Sequence, residues 1–123
     1  MKTPFNVVVA GSRSFNNYRL LKDKLDKILD SKLTSHSVQI ISGRARGVDK
    51  MGEKYARERN ISLKLFPANW DLHGKKAGYV RNMEMARAAD AVIVFWDGKS
   101  PGTSHMIATA KKLNLPLRLI RYQ

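Results

Sequence analysis

Five short apolar runs, each separated from the next by a stretch with helical spacing, constrain this chain more than any other feature. The runs fall at 5–10, 38–41, 61–66, 91–96 and 115–120. The first and fourth, Phe5-Asn-Val-Val-Val-Ala10 and Ala91-Val-Ile-Val-Phe-Trp96, are β-branched or aromatic almost throughout. That is the pattern of strands buried on both faces. Between the runs the spacing predicts helices over 18–33, 48–59, 78–89 and 103–113. Leu21, Leu25, Ile28 and Leu29 lie along one face of the first, with Lys and Asp on the other. Ser35-His36-Ser37 reads as a polar turn and Asn60 as a helix stop. Trp70, His73 and Gly74 break any period over 69–76, so that segment reads as a loop. Pro116 marks a sheet edge or a strand start.

Strict β-α alternation implies a parallel sheet with helices on both faces. Right-handed crossovers leave few topologies. The expected fold is a Rossmann-like three-layer α/β/α sandwich, with a five-stranded parallel sheet in the order 3-2-1-4-5. The 123 residues fit a single domain over 1–123. In such sheets ligands bind outside the carboxyl ends of the strands, where the order reverses.

Three glycine-rich segments fall at that end. They are Val9-Ala-Gly-Ser-Arg13, Ser42-Gly-Arg-Ala-Arg-Gly-Val-Asp49 and Asp97-Gly-Lys-Ser-Pro-Gly-Thr-Ser104. Glycine lets backbone N–H groups approach a ligand closely, and a helix N-terminus adds free donors and partial positive charge. In the predicted order, strands 1, 2 and 4 are neighbours, so the loops converge on one pocket for a phosphate-bearing molecule. After Gly11, Ser12 and Arg13 are either phosphate ligands or parts of a tight turn. Gly43, Ala45 and Gly47 permit a tightly folded second loop, flanked by Arg44 and Arg46. Two arginines in one glycine loop favour an anion. Asp49 either binds a ribose hydroxyl or caps its helix. Gly98, Gly102, Thr103 and Ser104 form the third loop, where the hydroxyls either meet phosphate or start a helix. The dinucleotide fingerprint G-x-G-x-x-G is absent.

Two carboxylates are candidates for catalysis. Arg81 and Glu84 share a helix face: they form a surface pair, or Arg81 points into the cleft with Glu84 as acid or base. Asp97 follows the fourth strand directly. Trp70 and Trp96 either pack or, for Trp70, stack on a base. His36, His73 and His105 have no metal-ligand spacing, and no cysteine is present. No metal or cofactor is expected.

Charge and hydropathy bound the partners. Lys and Arg number 23 against 10 Asp and Glu, a formal charge of +13. This favours a charged small ligand or nucleic acid. No apolar stretch approaches a membrane span, and the opening residues show no signal-peptide pattern. A cytoplasmic protein without a membrane partner is expected.

These residues together resemble the SLOG superfamily, most closely its small YspA/YpsA-like members. The marks are Gly11-Ser12-Arg13, Ser42-Gly43-x-Ala45-x-Gly47-x-Asp49 and Pro101-Gly102-Thr103. The superfamily also holds the LOG phosphoribohydrolases and DprA, and the likeness to DprA, with the +13 charge, implies single-stranded DNA as an alternative partner. The resemblance implies a Rossmann-like pocket for nucleotides or nucleotide-derived molecules. It also implies homo-oligomers, in which pairing completes a pocket. LOG enzymes carry a catalytic Glu three residues after the Thr that matches Thr103, where this chain has Met106. They also carry Arg-Lys-x-x-Met where it has Arg81-Asn82-Met83-Glu84-Met85. Two functions follow. One is a module that senses or sequesters a nucleotide-derived ligand. The other is hydrolysis of a nucleoside monophosphate's N-glycosidic bond, with Arg81 holding substrate and Glu84 or Asp97 in place of the missing Glu.

Overall fold

A computed structural model describes residues 2–122. The strands are β1 (Thr3–Gly11), β2 (His36–Ser42), β3 (Ser62–Leu65), β4 (Ala91–Trp96) and β5 (Leu117–Arg121). All pair in parallel, in the order β3-β2-β1-β4-β5. This is the expected Rossmann-like order. The helices are α1 (Tyr18–Ser35), α2 (Val48–Glu58), α3 (Trp70–His73), α4 (Ala77–Ala88) and α5 (Pro101–Lys112), with a 3-10 turn at Gly74–Lys76. None of the described helices is long and apolar enough to cross a membrane.

Strand alternation sorts the core into two layers. Val7 and Val9 of β1, Ile40 of β2, and Ile93 and Phe95 of β4 pack against Leu21, Leu25 and Leu29 of α1 and Tyr55 of α2. Val8, Ala10, Ile41, Val92 and Val94 point the other way, onto Met85 of α4 and Met106 and Ala110 of α5. Successive strand residues face opposite sides, so the central β1 buries both its odd and its even positions.

Two segments differ from the sequence reading. The polar turn expected at residues 35–37 is absent, because α1 runs to Ser35 and β2 begins at His36. The hydroxyls of Thr34 and Ser35 both donate to the Ser31 carbonyl, which keeps these polar residues in the helix. The stretch 69–76 is not irregular. Asn69 Oδ1 accepts from Leu72 N at 3.0 Å and caps the one-turn α3, which Gly74 closes at φ +57°. The last strand starts after Pro116, whose carbonyl still accepts from Val92 N.

Candidate functional site

At the carboxyl ends of β1, β2 and β4 lies a cavity of about 480 Å³, within the range of small-molecule sites. Gly11 lines it from the end of β1 and Arg13 from the turn that follows, Ala45 and Asp49 from the second glycine loop and α2, Arg81 and Asn82 from α4, and Ser100 to Thr103 from the start of α5. The three loops therefore converge as topology requires.

Arg81 is the buried cation of the site, at 9% exposure. Its Nη1 donates to the Gly43 carbonyl at 2.5 Å and its Nε to Asn82 Oδ1 at 3.1 Å. Neither partner carries charge, and among the described residues Arg81 forms no ion pair. Burial pulls its pKa down, Asp49 opposes that, and the charge of Arg13 adds to it. An arginine nonetheless stays protonated. The guanidinium thus enters the cavity with Asp49 as a nearby charge but without an ion pair among the described residues. Gly43 makes this possible, since a Cβ there would stand 2.7 Å from Arg81 Nη1.

Asp49, in the first turn of α2, is 4% exposed and accepts from Ala45 N at 3.2 Å. Burial raises its pKa to about 6, against the lowering effects of Arg81 and the backbone N–H groups of Ala45 and Gly11. An unfolded aspartate ionises near 4. The stability tied to this group is therefore full below about pH 4 and is lost as pH rises through about 6. At about pH 7.5 the loss is on the order of 3 kcal/mol. Asp49→Asn cannot ionise, so its unfolding free energy is expected to gain on that of the wild type by this order between pH 4 and 7.5. Urea denaturation at the two pH values checks it, and a difference that stays flat contradicts it.

The first turn of α5 completes the electropositive side of the cavity. Pro101 opens the helix, Ser104 N already bonds to the Ser100 carbonyl, and Gly102 and Thr103 face the cavity. The first N–H groups of a helix lack intrahelical partners, so this turn presents donors beside Arg81.

Several expected residues stand behind the cavity. Ser12 is fully buried. Its Oγ accepts from Asp97 N, and its carbonyl accepts from Phe15 N and Val48 N, so it ties the three loops together. Gly47, at φ +74°, packs against the backbone of Ser12 and Arg13. Arg44 turns back, and its Nη1 pairs with Glu53 Oε1 at 2.9 Å. Arg46 and Ser104 are exposed and do not line the cavity. Gly98, at φ +84°, faces the Arg121 guanidinium instead.

Neither carboxylate named for catalysis lines the cavity. Glu84 lies on the exposed face of α4, since Arg81, Asn82 and Met85 take the inward face. Asp97 closes its own turn, accepting from Lys99 N, Ser100 N and Ser100 Oγ. Those bonds, led by the Lys99 and Ser100 N–H groups, hold its pKa at about 2. Met106 does line the cavity. Asp49 is the one carboxylate among the described lining residues.

Two functional supports carried weak sequence signals. Asn82 accepts from Arg81 and donates to the Gly102 carbonyl, joining α4 to α5; its Nδ2 also lies 3.1 Å from His105 Nδ1. Its clue is a polar residue one turn before Met85 on the inward face. Glu53 is 2% exposed and accepts from Ser42 Oγ at 2.6 Å as well as from Arg44. Its clue is a carboxylate one turn after Asp49 on the apolar face of α2.

Comparison with known proteins agrees with this architecture. The Gene 61 protein of Mycobacterium phage D29 is 35% identical over 117 residues, covering 90% of this chain and 92% of the phage protein. DNA processing protein A from Streptococcus pneumoniae superposes with a TM-score of 0.74 at 17% identity, over 98% of this chain and 51% of that one. This chain thus spans about half of the pneumococcal protein. The Helicobacter pylori protein of the same name gives 0.65 at 20% identity, over 98% and 67% of the two chains. These two share the fold. Residues 5–73 match the family model described as YspA, cpYpsA-related SLOG, and with the phage relative this places the chain in that SLOG family.

Proposed function

We propose that the protein binds a nucleotide or nucleotide-derived molecule at the carboxyl ends of β1, β2 and β4. The observation that carries this reading is the buried Arg81, whose charge no carboxylate neutralises in an ion pair and which enters a cavity closed by the first turn of α5. Buried charges are costly unless paired, so a phosphate is the partner that fits. Arg81, Arg13 and the N–H groups of Gly102 and Thr103 hold the phosphate. Asp49, when ionised, accepts from the ribose hydroxyls.

Native mass spectrometry of freshly purified protein, followed by denaturing extraction, tests this. A co-purified phosphate ester supports it, as does retention of an added nucleoside monophosphate. A protein that stays empty with a full panel of nucleotides contradicts it. Incubation with the retained molecule then separates binding from cleavage. Glycosidic hydrolysis would have to use Asp49, so release of free base that stops in Asp49→Asn would establish the hydrolase reading.

A nucleic-acid partner has a separate support in the +13 charge. The Helicobacter pylori neighbour is described by its single-stranded DNA binding mode. Binding of this kind weakens steeply with salt, whereas a compact pocket ligand shows a shallow slope. An oligodeoxynucleotide titration at two salt concentrations distinguishes them.

A further inference from the structure

We infer that Trp70, which stands outside the cavity lining but next to Arg81 across Gly78, is the surface on which the ligand's base stacks, so the ligand carries a planar aromatic base as well as a phosphate. This rests on the nucleotide reading above and adds the feature that would select a nucleotide over a sugar phosphate. Trp70 is 53% exposed, unusual for so large an apolar side chain. Trp96 is different: its Nε1 donates to the Ser100 carbonyl, and Arg121 lies over its ring. Trp70 Nε1 has no comparable partner among the described residues.

The position of Trp70 is fixed and lies beside the site. It opens α3, which Asn69 caps. Gly78 provides the notch that brings it near Arg81. A Cβ at Gly78 would lie 3.9 Å from the indole Cη2 and 3.7 Å from Arg81 Nη2. The indole edge and the guanidinium thus flank one residue that has no side chain to separate them. A phosphate held by Arg81 would let the rest of a nucleotide extend out of the cavity over Gly78 to the neighbouring indole. The next residue, Tyr79, stacks on His105 with centroids 4.3 Å apart, and the exposed Lys75 and Lys76 keep this rim positive. Indole faces stack on any base. The contact therefore supplies affinity for a base and little discrimination among bases.

The test compares adenosine 5′-monophosphate with ribose 5-phosphate on the wild-type protein, Trp70→Ala and Trp70→Phe, by calorimetry and tryptophan fluorescence. Trp70 is exposed, so the variants are expected to melt with the wild type. Trp70→Ala is expected to weaken adenosine monophosphate about tenfold and ribose 5-phosphate less than twofold, with Trp70→Phe in between. The monophosphate quenches wild-type fluorescence, the quench survives Trp96→Phe, and ribose 5-phosphate does not produce it. Equal affinity of the wild type and Trp70→Ala for adenosine monophosphate, with no quench from Trp70, overturns the inference and leaves the pocket reading intact. If no nucleoside monophosphate of the panel binds the wild type, the pocket reading fails and the inference falls with it.

Discussion

Arg81→Met is expected to lower the affinity for a nucleoside monophosphate at least a hundredfold, the largest binding effect of any single change in the pocket. The loss combines a charge-assisted hydrogen bond with removal of the buried positive charge facing the phosphate, together about 3 kcal/mol. Arg81→Lys recovers only part of it. Lysine keeps the charge, but its single ammonium cannot serve the Gly43 carbonyl, Asn82 Oδ1 and a ligand in the geometry that the guanidinium fork spans. Titration calorimetry measures both variants, with thermal melts to establish that each is folded. Arg44→Ala is the informative contrast, because that arginine pairs with Glu53 and does not line the cavity. A direct loss of the same size in Arg44→Ala, in a protein as stable as the wild type, would place the anion elsewhere.

Gly47→Ala is expected to be the most destabilising conservative substitution at the site, at roughly 3–5 kcal/mol. Its φ of +74° and ψ of −124° suit glycine alone, and a Cβ would overlap the backbone of Ser12 and Arg13. The clash lies against main chain, which cannot rotate away. Gly102→Ala is the control: a Cβ there meets nothing within 4 Å, so its stability is expected within about 0.5 kcal/mol of the wild type. Urea denaturation of both reads the contrast, and equal midpoints would contradict this account of the loop.

The fold was legible because hydrophobic period and glycine placement agreed. The β-branched runs at β1 and β4 are buried on both faces, and alternation with helices fixed a parallel order. Legibility stopped where side-chain hydrogen bonds decide local structure. Nothing in the period of 69–76 reveals that Asn69 caps a helical turn, nor do Ser31, Thr34 and Ser35 announce that α1 continues to β2. At the site, residue type and loop position pointed to Gly11, Arg13, Ala45, Asp49, Gly102 and Thr103, and a helix position left Arg81 open between the surface and the cleft; all seven line the cavity. Direction was not legible. Arg44 has a left-handed backbone, φ +67°, and turns to a buried Glu53 eleven residues after Ser42. Asp97 and Glu84 sit close to the cleft in sequence, but a local turn takes the first and helix phase removes the second.

The most direct test of the central claim is a ¹H–¹⁵N correlation titration of the uniformly labelled protein with adenosine 5′-monophosphate. Saturable shifts are expected to concentrate at the backbone amides of Gly11, Arg13, Ala45, Asp49, Gly102 and Thr103, with the Arg81 Nε–H moving alongside them. Shifts confined to exposed lysines and arginines across the surface, without saturation and erased by moderate salt, would contradict it and make the basic surface the binding element instead.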